Sequence, residues 1–280
     1  MVLVIIFSVI AVVFISCLLQ GILITNRFRV VDEKINIKNL PREFLGKRIL
    51  HITDMHNSRF GKRNTKLAET INSLSPDYIF VSGDCLDRFS KSAGAFIELL
   101  ENLDGKYPVF YGLGNHDVIV RRTMPERYEK FYSNLCNLGV TVLDNQCIAL
   151  GNKEKVYLYG VSAIRNEDGP VTLTVDVIEQ KVGKCPDDAP VFLIVHEGHL
   201  FDEFVAWGAD LSFSGHIHGG IVRLPIIGGI FGAWGKLFPK YARGVYERNG
   251  KYMNLSSGLG YSKFKFRFLN IPEMSLITIE

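Results

Sequence analysis

Asp54-Met55-His56 sets a carboxylate and an imidazole at alternate positions, a spacing at which both side chains can reach one metal ion. Taken alone the pattern is common, and a turn Asp beside an incidental surface His explains it equally well. Four further strings change that balance. Gly83-Asp84-Cys85-Leu86-Asp87 puts an acid straight after a tight glycine turn, where its carboxylate could bridge two ions with Asp87 in support. An ordinary strand-ending turn also favours Gly and Asp. Gly114-Asn115-His116-Asp117 offers an amide oxygen as ligand, a histidine directed elsewhere, and an acid able to orient that imidazole. Val195-His196 ends an apolar run with an imidazole, and Gly215-His216-Ile217-His218-Gly219-Gly220 sets two more at alternate positions in a glycine-flanked turn. A lone His196 would read as a satisfied core histidine, and His199 is assigned to that role.

Each string follows a run suited to a strand. Arg48 to Thr53, Tyr78 to Ser82, Val109 to Leu113, Val191 to Val195 and Leu211 to Phe213 are apolar and short, and each ends in one of the polar groups above. Thr65 to Leu74, Ala95 to Leu103 and Tyr128 to Leu138 carry helical spacing between them. Further strands are expected in Phe28 to Val31, Lys34 to Ile37, Val140 to Leu143, Cys147 to Leu150, Val156 to Val161, Met253 to Ser256 and Met274 to Ile279. Strands alternating with helices indicate an α/β fold, and open α/β sheets bind ligands beyond their strand C-termini. A convergent site is therefore expected.

D-x-H, G-D-x-x-D, G-N-H-D, a strand-ending His and G-H-x-H-G-G occur once each and in this order. The set resembles the calcineurin-like metallophosphoesterase superfamily, from about Gly46 to the C-terminus. Ile221 to Pro225, Leu237 to Tyr241, Gly258-Leu259-Gly260 and Pro272-Glu273 look like its bacterial membrane-associated branch, some members of which cleave the pyrophosphate of UDP-diacylglucosamine. The resemblance implies a β-sandwich of two mixed sheets flanked by helices. It implies that Asp54, His56, Asp84 and His218 hold one divalent ion and that Asp84, Asn115, His196 and His216 hold the other, with Asp84 as the bridge. His116 would be the non-ligating catalytic imidazole and Asp117 its orienting partner. His196-Glu197-Gly198 departs from the Pro-containing loop of many relatives, which bears on loop shape. The activity so implied is hydrolysis of a phosphoester or pyrophosphate by a hydroxide bridging two divalent ions, manganese first and iron or zinc as alternatives. A phosphodiesterase for a soluble nucleotide and a catalytically silent metal-holding membrane scaffold are the competing readings.

The whole chain sets the remaining bounds. At 280 residues, with 47% hydrophobic and 22% charged content, it accommodates one large domain and a small appendage. A net charge of +3 leaves no basic footprint for nucleic acid, so none is expected as partner. Five scattered cysteines, without C-x-x-C spacing, indicate neither a disulfide framework nor a cysteine zinc site. Val2 to Leu19 is uncharged and mostly apolar, resumes in Gly21 to Ile24, and has no basic residue before it, so residues 1–25 read as an uncleaved transmembrane anchor and 26–280 as the catalytic domain. Arg27, Arg29, Lys34 and Lys38 follow the span, which places that domain on the cytoplasmic side of the cell membrane. The apolar segment Leu224 to Phe238, with Ile226, Ile227, Ile230, Phe231 and Trp234, directly follows the H-x-H turn; it suits an acyl chain or headgroup region, with Lys236, Lys240 and Arg243 beside it, or else core packing. A phosphorylated small molecule or lipid is the expected substrate. Phe264, Phe266 and Phe268 alternate with Lys265 and Arg267 as in a half-buried strand.

Overall fold

The apolar runs become strands of two stacked sheets. The computed structural model describes residues 7–8, 12, 15–16, 19–90, 94–162, 173–232, 235–261 and 265–280. The first sheet is built from β1 (Arg29–Ile35), β2 (Arg48–Ile52), β3 (Tyr78–Val81), β4 (Val109–Gly112), β5 (Thr141–Leu143) and, from the far end of the chain, β14 (Glu273–Ile279). Its order is β1-β14-β2-β3-β4-β5, parallel except where β14 meets β2. The second sheet comprises β6 (Gln146–Leu150), β7 (Val156–Val161), β8 (Val191–Glu197), β9 (Leu211–Gly215), β12 (Gly244–Arg248) and β13 (Lys251–Leu255). Its order is β12-β13-β9-β8-β7-β6, with antiparallel pairs at both edges. A two-residue ribbon, β10 (Arg223–Leu224) with β11 (Gly228–Gly229), lies apart.

Strand alternation decides which side chains meet. In β8, Phe192 and Ile194 face the layer between the sheets with Phe80, Phe110, Phe213, Ile277 and Ile279, whereas Val191, Leu193 and Val195 face outward to a separate core. Burying each such side chain contributes roughly 1.5–3 kcal/mol. Helices α1 (Thr65–Leu74) and α2 (Gly94–Leu103) cover the outer face of the first sheet, the latter through Phe96, Leu99, Leu100 and Leu103. They are joined there by α4 (Pro125–Asn137), which starts with Pro at its first turn and buries Tyr128, Phe131 and Leu135. Against the second sheet lie α5 (Val175–Val182) and α6 (Phe201–Trp207).

Three helices were not expected from periodicity: α3 (Asn115–Thr123), α5 and α6. Each has at most nine residues, and α3 opens on site residues whose polarity hides the pattern. Residues 265–272 also differ from expectation. They form a loop with a single bridge from Phe268 to Val222, and in it Arg267 is 1% exposed while Phe266 and Phe268 are half-buried, the reverse of a strand with its charges outward. Three side-chain hydrogen bonds to two carbonyl groups, those of Ser257 and Gly260, stabilise that burial. Phe264, Trp234, Cys17 and most of the apolar run before Leu19 lie outside the described residues. Among those described, no helix is long and apolar enough to cross a membrane.

Candidate metal centre

Five strand ends converge at one edge of the sandwich. Asp54 and His56 follow β2, Asp84 and Asp87 follow β3, Asn115 opens α3 after β4, His196 lies near the end of β8, and His216 and His218 follow β9. The turns that aim these side chains are sterically costly. Asp54, His56, Asp84, His216 and His218 all have φ between 48° and 74°, a region that costs a non-glycine residue about 1–2 kcal/mol. Close packing adds a glycine requirement: a Cβ on Gly114 would lie 2.2 Å from Asp84 Oδ1, and one on Gly215 would lie 2.2 Å from Asp54 Oδ2.

The donors fall into groups whose ligand atoms lie within 4.8 Å of one another: Asp54, His56 and His218 in one, Asp84, His196 and His216 in another, and His56, Asp87 and His116 in a third. Asp54 Oδ1 faces three imidazole nitrogens, His218 Nε2 at 3.4 Å, His196 Nε2 at 3.7 Å and His56 Nε2 at 3.9 Å. Its other oxygen accepts from the backbone N–H of His216 at 2.9 Å and from Thr53 Oγ1 at 3.0 Å. Asp84 Oδ1 accepts from the His116 N–H at 2.7 Å, and Oδ2 lies 3.0 Å from His196 Nε2.

His196 shows what the arrangement lacks. Its Nδ1 donates to the Ser82 carbonyl at 2.6 Å, so in the neutral ring Nε2 carries a lone pair and points at two carboxylates. Acceptors facing acceptors inside a protein need positive charge between them, as a proton or a metal cation. Asp54 Oδ1, both ring nitrogens of His56, the Asn115 side-chain oxygen and His196 Nε2 are all buried without a hydrogen-bond partner, which fits ligand atoms for metal. Electrostatics agree. Burial pushes Asp54 up, yet the imidazoles of His218 and His196 outweigh it and hold it at about 2. Asp84 is likewise held well below the carboxylate range against its burial, chiefly by His196 and His116. Burial lowers His196, but Asp84 and Asp54 raise it well above the usual range, so the pocket favours positive charge at that spot. Burial drives His218 down to about 3 and holds His216 well below the usual imidazole range, keeping both rings neutral as metal ligation requires.

His116 stands beside the candidate metal donors, its ring 4.8 Å from that of His56. Its Nδ1 meets Asp87 Oδ1 at 3.0 Å, a shorter contact than the 3.3 Å approach of the Arg88 N–H, so the carboxylate holds the proton on Nδ1. The orienting acid is thus Asp87 and not Asp117. Asp117 accepts from the backbone N–H groups of Gly114, Asp84 and Leu86 at 2.8, 2.9 and 3.2 Å and from the Tyr111 hydroxyl at 2.9 Å. The reason is helical geometry: as third residue of α3, Asp117 turns back to cap its own helix and grips the loop carrying Asp84. Burial and Asp84 push Asp117 up to about 7, against the pull of those donors.

His199 is only half-buried, and its ring lies 5.8 Å from that of His216, at the border of the centre. Glu197 is fully buried with one oxygen lacking a donor, and burial raises it to about 7. Arg267 approaches His218 from behind the site, a contact with no signal in local sequence.

The chain matches the Calcineurin-like phosphoesterase family over residues 47–220. It is 26% identical over 257 residues to an uncharacterized metallophosphoesterase of Helicobacter pylori, covering 90% of this chain and 64% of that protein. With YkuE, an uncharacterized metallophosphoesterase of Bacillus subtilis, identity is 28% over 259 residues, 89% of this chain and 84% of the relative. A Danio rerio transmembrane protein with metallophosphoesterase domain is 22% identical over 200 residues, 69% of this chain and 45% of that protein. Among solved structures, TT1561 of Thermus thermophilus superposes with a TM-score of 0.48 at 11% identity, over 76% of this chain and 90% of that one.

Proposed function

We propose a reaction from a fixed premise: this chain belongs to the calcineurin-like phosphoesterase family. The reaction is hydrolysis of a phosphoester or pyrophosphate bond at a centre of two divalent cations. Asp54, His56 and His218 would hold one, Asn115, His196 and His216 the other, and Asp84 both. The observation that carries this is the inward set of partnerless acceptors on Asp54, His56, Asn115 and His196. Bound there, divalent cations supply Lewis acidity toward phosphoryl oxygens and lower the pKa of water to near neutrality. His116, with its Nδ1 proton held by Asp87, would act as the doubly protonated ring, giving the proton on its other nitrogen to the leaving oxygen and returning to the neutral form, a contribution of typically about 10²–10⁴-fold. Buried Asp117 and Gly114 keep the Asp84 loop and the start of α3 in register, so the bridging carboxylate and His116 move together.

The substrate is read as lipid-linked and the protein as membrane-anchored through residues 1–25, with the catalytic domain cytoplasmic and manganese as the working metal. Support for the lipid comes from exposed apolar side chains that lead away from the site. Ile221, Ile226, Ile227, Phe231, Leu237 and Phe238 are exposed in the segment following His218, with Ile226 fully so. That segment is tied to the loop of residues 265–269 through the Arg223 N–H bonded to Phe268 O, and that loop meets Gly21 of the apolar N-terminal segment through the Arg267 N–H. Lys240 is pinned to Asp202 at 2.7 Å beside it. The name of the Danio rerio relative is in keeping with an anchor.

Turnover of bis-p-nitrophenyl phosphate, a nucleotide-sugar lipid and cyclic nucleotides with manganese present tests the reading. The lipid is expected to be preferred. Preference for a cyclic nucleotide would move the substrate to the soluble class, and inactivity on all three with metals bound would leave a scaffold. A C-terminal reporter active only outside the cytoplasm would reverse the orientation.

A further inference from the structure

Arg267 is 1% exposed, and no ion pair involves it among the described residues. Its Nε and Nη2 donate to the Gly260 carbonyl and its Nη2 to the Ser257 carbonyl at 2.6 Å, while Nη1 is buried without a partner. The charge is therefore solvated by carbonyl dipoles, with the carboxylates of Asp54 and Glu273 acting on it only from beyond ion-pair reach, an expensive arrangement for loop cross-linking alone. What it faces is His218: Nη2 lies 3.4 Å from Nδ1. Both Nη2 hydrogens are committed to carbonyls at shorter distance, so the effect on the ring is that of a cation beside it.

Metal-binding histidines ordinarily give their second ring N–H to a carbonyl or carboxylate, which fixes the tautomer and strengthens the ligand. His196 follows this rule through the Ser82 carbonyl at 2.6 Å. His218 meets a guanidinium where an acceptor belongs. His56, its companion, has Asp87 Oδ1 no nearer than 3.6 Å from Nδ1. Positive charge behind one ligand weakens it as a donor and repels a cation on its far side.

We infer that Arg267 makes the two halves of the centre unequal, so that the half built from Asp54, His56 and His218 holds its divalent cation more loosely than the half built from Asn115, His196 and His216. Arg267 is thus a positioning residue acting through His218. The inference rests on the two-cation reading above.

Titration calorimetry of manganese chloride into the chelator-stripped full chain in detergent, paired with elemental analysis after dialysis, tests it. Two binding events are expected, the weaker one lost in His218→Ala and the tighter one lost in His196→Ala. Arg267→Met should strengthen the weaker event on the order of tenfold and leave the tighter one in place, whereas Arg267→Lys, which keeps the charge, should keep the inequality. A ratio of affinities unchanged in Arg267→Met, or both events weakened alike, would reduce Arg267 to a loop tie and overturn the inference. Loss of the tighter event in His218→Ala would overturn it as well, and decides the matter if circular dichroism shows Arg267→Met unfolded. A single event in the unaltered chain would instead count against the two-cation reading.

Discussion

Two buried histidines lean on the same residue and do opposite things. His51, inside the sandwich on β2, has Nδ1 at 2.6 Å from Asn254 Oδ1 and Nε2 at 2.8 Å from the Ser82 hydroxyl, so both nitrogens are satisfied. His196 takes the carbonyl of that same Ser82 and leaves its second nitrogen against Asp54 and Asp84. Burial lowers His51 to about 4 and keeps it neutral, whereas the carboxylates around His196 favour positive charge. The difference teaches that burial by itself does not mark a site. A buried polar atom facing groups of its own kind does, because folding leaves it unsatisfied unless something else binds.

The contrast breaks first at Asp84. Asp84→Ala should lose metal occupancy together with turnover, seen by elemental analysis alongside kinetics; a metal-free and fully active variant would refute the site. Next, His116→Ala should keep its metals and lose about 10²–10⁴-fold in kcat, and metal loss in that variant would make His116 a ligand instead. Asp87→Asn should cost less, about 10–100-fold in kcat with metal content retained, and should exceed the effect of the same change at any carboxylate that does not touch an imidazole of the centre. The smallest effect belongs to the interior. Because His51 is held at about 4 when folded against 6.5 when free, the unfolded chain binds the extra proton first as pH falls between those values. Its contribution to stability is present above pH 6.5 and is lost toward pH 4, at about 1.4 kcal/mol per unit within the window. Denaturant midpoints across that range should show the slope, and His51→Gln, with metal content unchanged, should remove this group's share of it and leave the shares of His199, His216 and His218.

Strand ends were legible because strand formation and candidate donor side chains leave local marks: an apolar run, then Asp, Asn or His beside a glycine. Such marks predicted the positions of Asp54, Asp84, Asn115, His196, His216 and His218 relative to their strands. They failed for Asp117, where adjacency to His116 suggested a partner, since the first turn of α3 rotates neighbouring side chains apart. They failed again for Arg267, since alternation with Phe266 and Phe268 indicates an exposed charge and nothing local reveals the carbonyls of Ser257 and Gly260.

From residue order alone follow an α/β chain and the chemical types gathered at its strand ends, because periodicity and ligand identity are properties of neighbours. What the tertiary structure decided is the partner behind each imidazole: Ser82 for His196, 114 residues away, Asp87 for His116, 29 away, and Arg267 for His218, 49 away. A hydrogen bond depends on relative position and direction between segments that meet only when both sheets have stacked, and those contacts set which nitrogen of a buried ring is left facing the candidate centre and which ring is plain core.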